Sequence, residues 1–187
     1  MSYTVHFRGI TADIITKPGI FSERGPDRGT MLMLDNADIS PGMRILDLGC
    51  GSGIVGTLCA KLGAEVFMLD CDPLAVDVAS RTLAANGISD VVPLLSDGFA
   101  DFKEKDLDLI LSNPPYHTDF SVAKGFIEKG FNRLRIGGRM MLVVKRPQWY
   151  HNKLCAIFGG CTQLSKEGYT VFTAIKRQSG YARTSRR

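Results

Sequence analysis

Asn113-Pro114-Pro115-Tyr116 brings an amide, two prolines and an aromatic ring together in four positions. Two successive prolines lock a turn and remove two backbone donors, so the carbonyls there are left to accept. The Asn113 side-chain oxygen and the Pro114 carbonyl would hold the two hydrogens of a planar NH2 group. Such bonds aim the nitrogen lone pair and favour positive charge developing on nitrogen. Tyr116 offers a flat face on which a planar base or amide stacks. The same four residues can also be a rigid surface turn. What surrounds them decides between the two.

Upstream stands Asp47-Leu48-Gly49-Cys50-Gly51-Ser52-Gly53, between an apolar run and a helical pattern. Gly49, Gly51 and Gly53 allow a tight turn and close approach of a ligand. A dinucleotide fingerprint would read GxGxxG and seat a pyrophosphate on the helix N-terminus. Here the spacing is GxGxG, and a carboxylate, Asp47, precedes it. That suits a cationic or hydroxyl-bearing ligand better than a pyrophosphate. S-adenosylmethionine, with an ammonium, a sulfonium and a ribose but no phosphate, is such a ligand. Asp70 closes the next apolar run and is placed to accept from ribose hydroxyls; Asp72 is better placed as the cap of the following helix. Cys71, between them, belongs to the same predicted cofactor wall. Asp97 is placed to accept from an adenine amino group, or is a turn aspartate. Cys50 sits in the glycine loop without an activating neighbour and reads as a small packing residue against the cofactor.

Taken together, the motifs predict methyl transfer from S-adenosylmethionine to a planar NH2 nitrogen. Asn113 would serve both cofactor and acceptor. No strong base is required before attack, because a neutral amine displaces a neutral thioether. His117, directly after the motif, is therefore given no catalytic role. His6 and His151 have no partners at metal-ligand spacing, and no metal is expected.

These residues need a scaffold that gathers them at one edge. Short apolar runs at 43–48, 65–70, 91–95, 107–111 and 139–144 alternate with helical patterns at 53–62, 73–86, 119–134 and 148–158. Two final strands, 161–165 and 169–175, flank a tight turn at Lys166-Glu167-Gly168 and should pair antiparallel. The pattern predicts a doubly wound α/β sheet, mostly parallel with one reversed strand, and helices on both faces. Tyr3–Phe7 and Asp13–Thr16 form a small N-terminal hairpin. A short helix covers 30–36, and residues 148–158 begin with Trp149-Tyr150, read as core or interface. Phe126, Ile127 and Phe131 read as one buried helix face. Residues 1–177 are one domain, and the polar, arginine-rich 178–187 is a mobile basic tail.

The 187 residues suffice for a substantial core. No early apolar run reads as a signal peptide or membrane span. Five cysteines without CxxC or Cys/His ligand spacing fit reduced thiols in the cytoplasm. The net charge of +4 conceals an asymmetry. Residues 1–110 hold nine Lys/Arg and sixteen Asp/Glu, a balance of −7. Residues 111–187 hold fourteen and three, a balance of +11. A basic half that starts at the Asn-Pro-Pro-Tyr motif predicts a polyanionic partner.

With these motifs placed, the chain resembles the class I S-adenosylmethionine-dependent methyltransferases. Within them it is similar to the "methyltransferase small" group, which includes the ribosomal RNA small-subunit methyltransferase C type. The resemblance is carried by Asp47–Gly53, Asp70, Asp97 and Asn113–Tyr116. It also rests on Pro18-Gly19-Ile20-Phe21-Ser22 followed by Asp27-Arg28-Gly29-Thr30, similar to the family's Pro-Gly-Val-Phe-Ser element and its Asp-x-Gly-Ser/Thr helix start. The resemblance implies a seven-stranded Rossmann-like sheet and methylation of guanine N2 in ribosomal RNA. It also implies that residues 1–40 cover the cofactor, with Phe21 over the methionine end. Bacterial members of that type are about twice as long and carry a further N-terminal domain. The basic residues Lys145, Arg146, Lys176, Arg177, Arg183, Arg186 and Arg187 would grip RNA phosphates in its place. Adenine N6 and protein glutamine amides are alternative acceptors, because Asn-Pro-Pro-Tyr serves any planar NH2. A non-catalytic RNA-binding protein on the same fold is a further alternative.

Overall fold

The computed structural model describes residues 1–115 and 120–182. Strands β1 (Ser2–Phe7) and β2 (Ile10–Ile15) form the predicted hairpin. Its two-residue turn, Arg8-Gly9, has positive φ at both positions, the primed geometry that matches strand twist. Helix α1 (Arg28–Asp35) follows, and it starts on an Asp27 cap. Then come β3 (Arg44–Leu48), α2 (Ile54–Lys61), β4 (Glu65–Asp70) and α3 (Pro73–Ala85). Next are β5 (Leu94–Leu95), β6 (Leu107–Ser112), α4 (Phe120–Arg133) and β7 (Leu134–Val144). Helix α5 (Pro147–Phe158) and the hairpin β8 (Thr162–Lys166) and β9 (Tyr169–Ile175) complete the described chain.

The main sheet has seven strands in the order β5-β4-β3-β6-β7-β9-β8. Only β9 is reversed; it pairs antiparallel with β7 on one side and β8 on the other. Glu167 and Gly168, the two residues between β8 and β9, both have positive φ, so this turn is also of the primed kind. Along the strands, side chains alternate between two cores. Ile45, Leu109, Leu111, Met141 and Val143 face the α1–α3 side. Leu46, Leu107, Ile110, Met140 and Leu142 face α4 and α5.

Three local expectations differ. The run at 91–95 yields a strand only at Leu94–Leu95, because Val91 turns into the core and Pro93 lacks the amide a ladder needs. Strand β7 begins at Leu134, before Gly137-Gly138, and its pairing with β6 is irregular between Leu107 and Leu109. Positive φ at Gly137 accommodates that irregularity. Residues 178–182 are docked, not loose. The Tyr181 ring meets Phe131 edge-on and its hydroxyl donates to the Glu128 carbonyl, while the Ala182 amide donates to Ile157. Residues 183–187 lie outside the described chain.

Strand order turns in opposite directions on either side of the β3/β6 pair. This is the switch point at which open α/β sheets bind ligands, beyond the strands' carboxyl ends. The glycine loop leaves β3 there, and Asn113 leaves β6 there.

Candidate active site

Register places the two motifs side by side. Asp47 pairs with Leu111, so Gly49 and Asn113 emerge at the same level. The buried Ser112 hydroxyl donates to the Leu48 carbonyl at 2.6 Å and ties the two strand ends together. Beyond them opens a cavity of about 440 Å3, lined by residues of both motifs. That is within the range of roughly 300–1,000 Å3 usual for small-ligand sites.

The glycine-loop wall of the cavity is organised by aspartates accepting from backbone. Asp47 lies beneath the loop, 3% exposed, and one oxygen accepts from the Gly56 amide at 2.9 Å. Burial pushes its carboxyl up to about 7, against the opposing Gly56 hydrogen bond and with added repulsion from Asp70. Asp70 accepts from the Gly51 amide at 2.9 Å and from the Asp72 amide at 3.0 Å. It therefore holds the glycine loop to the end of β4. Capping of α3 falls to Asp72, which accepts from the Leu74 amide. Gly49 and Gly51 have φ of 78° and 53°, and a Cβ on either would project into open space. Their role is backbone conformation at the cavity rim. Gly53 differs: it caps α2, and a Cβ there would meet Ala79 and Met68 at 3.1 Å. It does not line the cavity; it lets α2 pack on α3 and β4.

Cys50, Cys71 and Asp97 all line the cavity, Cys71 and Asp97 being exposed. Burial, and then the Asp47 and Asp70 carboxylates, push the Cys50 thiol far up, which suits packing and not nucleophilic attack. Phe21 stands at the mouth, 51% exposed, beside the cavity. Its neighbour Ile20 is buried against Ala75 and Val78 of α3, and Lys17 pairs with Asp77 of the same helix at 2.7 Å. Asn86 and Thr82 further pin β2 to α3. The N-terminal segment is thus anchored on α3 while Phe21 is left facing the opening.

At the other end, the Asn113 amide nitrogen donates to the Asp27 carboxylate at 3.1 Å and to the Thr30 hydroxyl at 3.0 Å. Asp27 is itself fixed. The Thr30 amide and hydroxyl donate to the same oxygen at 2.8 and 3.2 Å, and the Tyr169 hydroxyl donates to the other at 2.9 Å. Burial, and then Asp27, push the Tyr169 hydroxyl pKa up, so it remains a donor. Gly29 permits this approach, because a Cβ there would lie 2.4 Å from the Tyr169 ring. The Asn113 amide nitrogen faces this network, which orients the amide. Pro114 and Pro115 line the cavity beside it. Tyr116 and His117 lie outside the described residues.

Several of these contacts have no counterpart in the sequence pattern. Thr30, Ser112 and Tyr169 act through contacts 64 to 142 residues apart, which no local pattern announces. Phe126, read as core, is half-buried and lines the cavity, whereas Ile127 and Phe131 are buried as expected. Lys176 is not available to an outside polyanion: it is buried and its ammonium donates to the Leu134 carbonyl at 2.7 Å. Desolvation lowers its pKa. The charge asymmetry is partly spent within the fold, since Arg135 and Arg139 pair with Asp108 and Asp38 of the acidic half. Finally, His151 does have partners. Cys155 lies 3.8 Å from its ring nitrogen, and Cys161 lies 3.9 Å from Cys155.

Among known proteins, the family model "Methyltransferase small domain" matches residues 11–173. A ribosomal RNA small subunit methyltransferase C of Pseudomonas entomophila is 34% identical over 170 residues, 87% of this chain and 51% of that protein. Its namesake from Stutzerimonas stutzeri is 32% identical over 181 residues, 93% of this chain and 54% of that one. The structure of the T. thermophilus 16S rRNA N2 G1207 methyltransferase (RsmC), in complex with AdoMet and guanosine, matches with a TM-score of 0.87 at 30% identity. The match covers 95% of this chain and 50% of that one. The chain thus spans about half the length of the curated relatives it matches.

Proposed function

The chain belongs to the methyltransferase small domain family, and on that premise we propose that it methylates the N2 amino group of guanine in ribosomal RNA, using S-adenosylmethionine. The observation that carries this reading is the single cavity in which the Asp47/Asp70 wall meets Asn113 and Pro114. The similarity to a structure holding AdoMet and guanosine supports both ligands.

The cavity's chemistry fits the cofactor. Among its described lining residues are three aspartates and no Lys, Arg or His. That favours a ligand with an ammonium, a sulfonium and hydroxyls, and disfavours a pyrophosphate. S-adenosylmethionine supplies an electrophilic methyl group on a positively charged sulfur. Asp47 faces the ammonium and Asp70 the ribose hydroxyls. Asp97 accepts from the adenine amino group, Cys50 and Cys71 pack along the adenosine, and Phe21 covers the methionine end. In this reading residues 1–40 form the cofactor-covering segment of a domain that runs to 177 and on which residues 178–182 dock.

The acceptor is held by Asn113 and Pro114. The Asn113 side-chain oxygen and the Pro114 carbonyl accept from the NH2 group, and Tyr116 stacks on the base. Hydrogen bonds to two acceptors become stronger as nitrogen gains positive charge, so they favour the transition state over the ground state. Asp27 and Thr30 keep the amide from rotating, so no reorganisation is needed at the moment of attack. RNA phosphates meet the exposed Lys145, Arg146 and Arg177.

Tritiated methyl transfer onto fractionated ribosomal RNA, ribosomal subunits and protein, followed by nucleoside analysis, tests the proposal. Label in N2-methylguanosine is expected. Label on adenine N6 or on a glutamine amide would refute the acceptor, and an absence of both transfer and cofactor-binding heat would refute the enzyme.

A further inference from the structure

Away from the cavity, helix α5 and the start of β8 bring three soft donors together. His151 and Cys155 are four residues apart on α5 and so share one face. The helix ends on Gly159, whose φ of 82° reverses the chain and returns Cys161 to the same face. Cys155 Sγ lies 3.8 Å from His151 Nε2 and 3.9 Å from Cys161 Sγ, and all three donor atoms fall within 4.8 Å of one another. Both cysteines are free and half-buried.

We propose that His151, Cys155 and Cys161 form a binding site for a thiophilic divalent ion, with zinc as the fitting member of that class. Two thiolates about 2.3 Å from a tetrahedral zinc stand about 3.8 Å apart, and a thiolate and an imidazole nitrogen stand about 3.6 Å apart. Two of the three edges therefore already have the length a bound ion requires, and only the His151–Cys161 edge has to shorten. A disulfide would instead need the two sulfur atoms at about 2.0 Å, far inside their present separation. Three protein donors leave the fourth tetrahedral position to water or an added ligand.

The ion would staple the C-terminal turn of α5 to β8. That strand is one of the two edges of the sheet, pairs only with β9, and all five of its residues are exposed. None of the three donors lines the catalytic cavity, so this inference is independent of the methyl-transfer reading.

Cobalt(II) titration of the reduced, chelator-treated full chain provides the test. One equivalent of Co2+ should produce thiolate-to-cobalt charge-transfer and d–d absorption, and one equivalent of Zn2+ should abolish it. His151→Ala, Cys155→Ser and Cys161→Ser should each lose the band while far-ultraviolet circular dichroism stays native. No thiolate–cobalt band in the unmodified chain would overturn the proposal. So would a band unchanged by any one of the three substitutions.

Discussion

At the cofactor end, Asp70 accepts from amides only 2 and 19 residues away in the chain. Asp47 likewise reaches no further than Gly56 in the next helix. At the acceptor end, Asn113 is held by Asp27 and Thr30, 86 and 83 residues upstream, and Asp27 by Tyr169, 142 residues downstream of it. One end is a local loop that the consecutive β3–α2–β4 unit assembles. The other exists only when α1, β6 and β9 have docked. Changes at the first should alter cofactor affinity, and changes at the second should alter turnover. Residues that act through Asp27 should matter only at the second.

The largest effect that would break or support this division is at Asn113. Asn113→Ala should lower single-turnover methyl transfer by about 10²- to 10³-fold, the usual scale for losing one preorganised polar group. Cofactor affinity, read by calorimetry, should change little. Turnover within a few-fold of the unmodified chain would remove the role assigned to Asn113.

Asp70→Ala should act in the opposite sense. Each hydrogen bond to a charged group is worth about 1.5–3 kcal/mol, so losing the ribose contacts and the Gly51 anchor should weaken cofactor binding by roughly tenfold to a hundredfold or more. Single-turnover rate at saturating cofactor should fall far less. A normal dissociation constant would contradict the wall described here.

Asp47 supplies a pH signature. Its carboxyl, raised to about 7 by burial, is largely protonated below that value in the ligand-free protein. An ammonium selects the ionised form, so binding below pH 7 must expel a proton. Affinity should therefore rise between pH 5.5 and 7, approaching about tenfold per pH unit at the acid end. Asp47→Asn should flatten that slope. A slope that persists in the variant would place the titrating group elsewhere.

The smallest effect sharpens the comparison from furthest away. Tyr169→Phe removes one neutral-to-charged hydrogen bond to Asp27, worth about 1.5–3 kcal/mol at its source but diluted through two intervening side chains. A several-fold loss of turnover with unchanged cofactor affinity is expected in the same single-turnover assay. An equal loss of cofactor affinity would mean that α1 supports both ends.

The same contrast explains what could be read in advance. The Gly49–Gly51 loop at the end of β3 was legible because a glycine loop after a buried strand carries its geometry in consecutive residues. The seven-stranded sheet with one reversed strand was legible because strand–helix alternation and the Glu167-Gly168 turn leave few topologies. Gly53 was assigned to the cofactor by its place in the motif, yet Ala79 and Met68, from the next strand and helix, occupy the space beside it. Lys176 reads as surface charge from the sequence, but it directly follows β9, a strand with no exposed residue, and its ammonium ends on a carbonyl. Thr30 was marked only as part of a helix start, with nothing to tie it to Asn113, and Tyr169 offered no signal by type or spacing. Gly29 was the nearest clue, a glycine at a helix start whose reason is the Tyr169 ring above it.

Asp27→Ser tests the central claim most directly. Serine still caps α1, so the helix start is kept, but it is too short to reach Asn113 and Tyr169 together. Single-turnover transfer to ribosomal RNA and cofactor affinity would be measured on the same preparation. The account predicts roughly a ten- to hundredfold loss of turnover, the cost of a misplaced catalytic group, at an unchanged cofactor dissociation constant. Unchanged turnover, or a parallel loss of cofactor affinity, would contradict it.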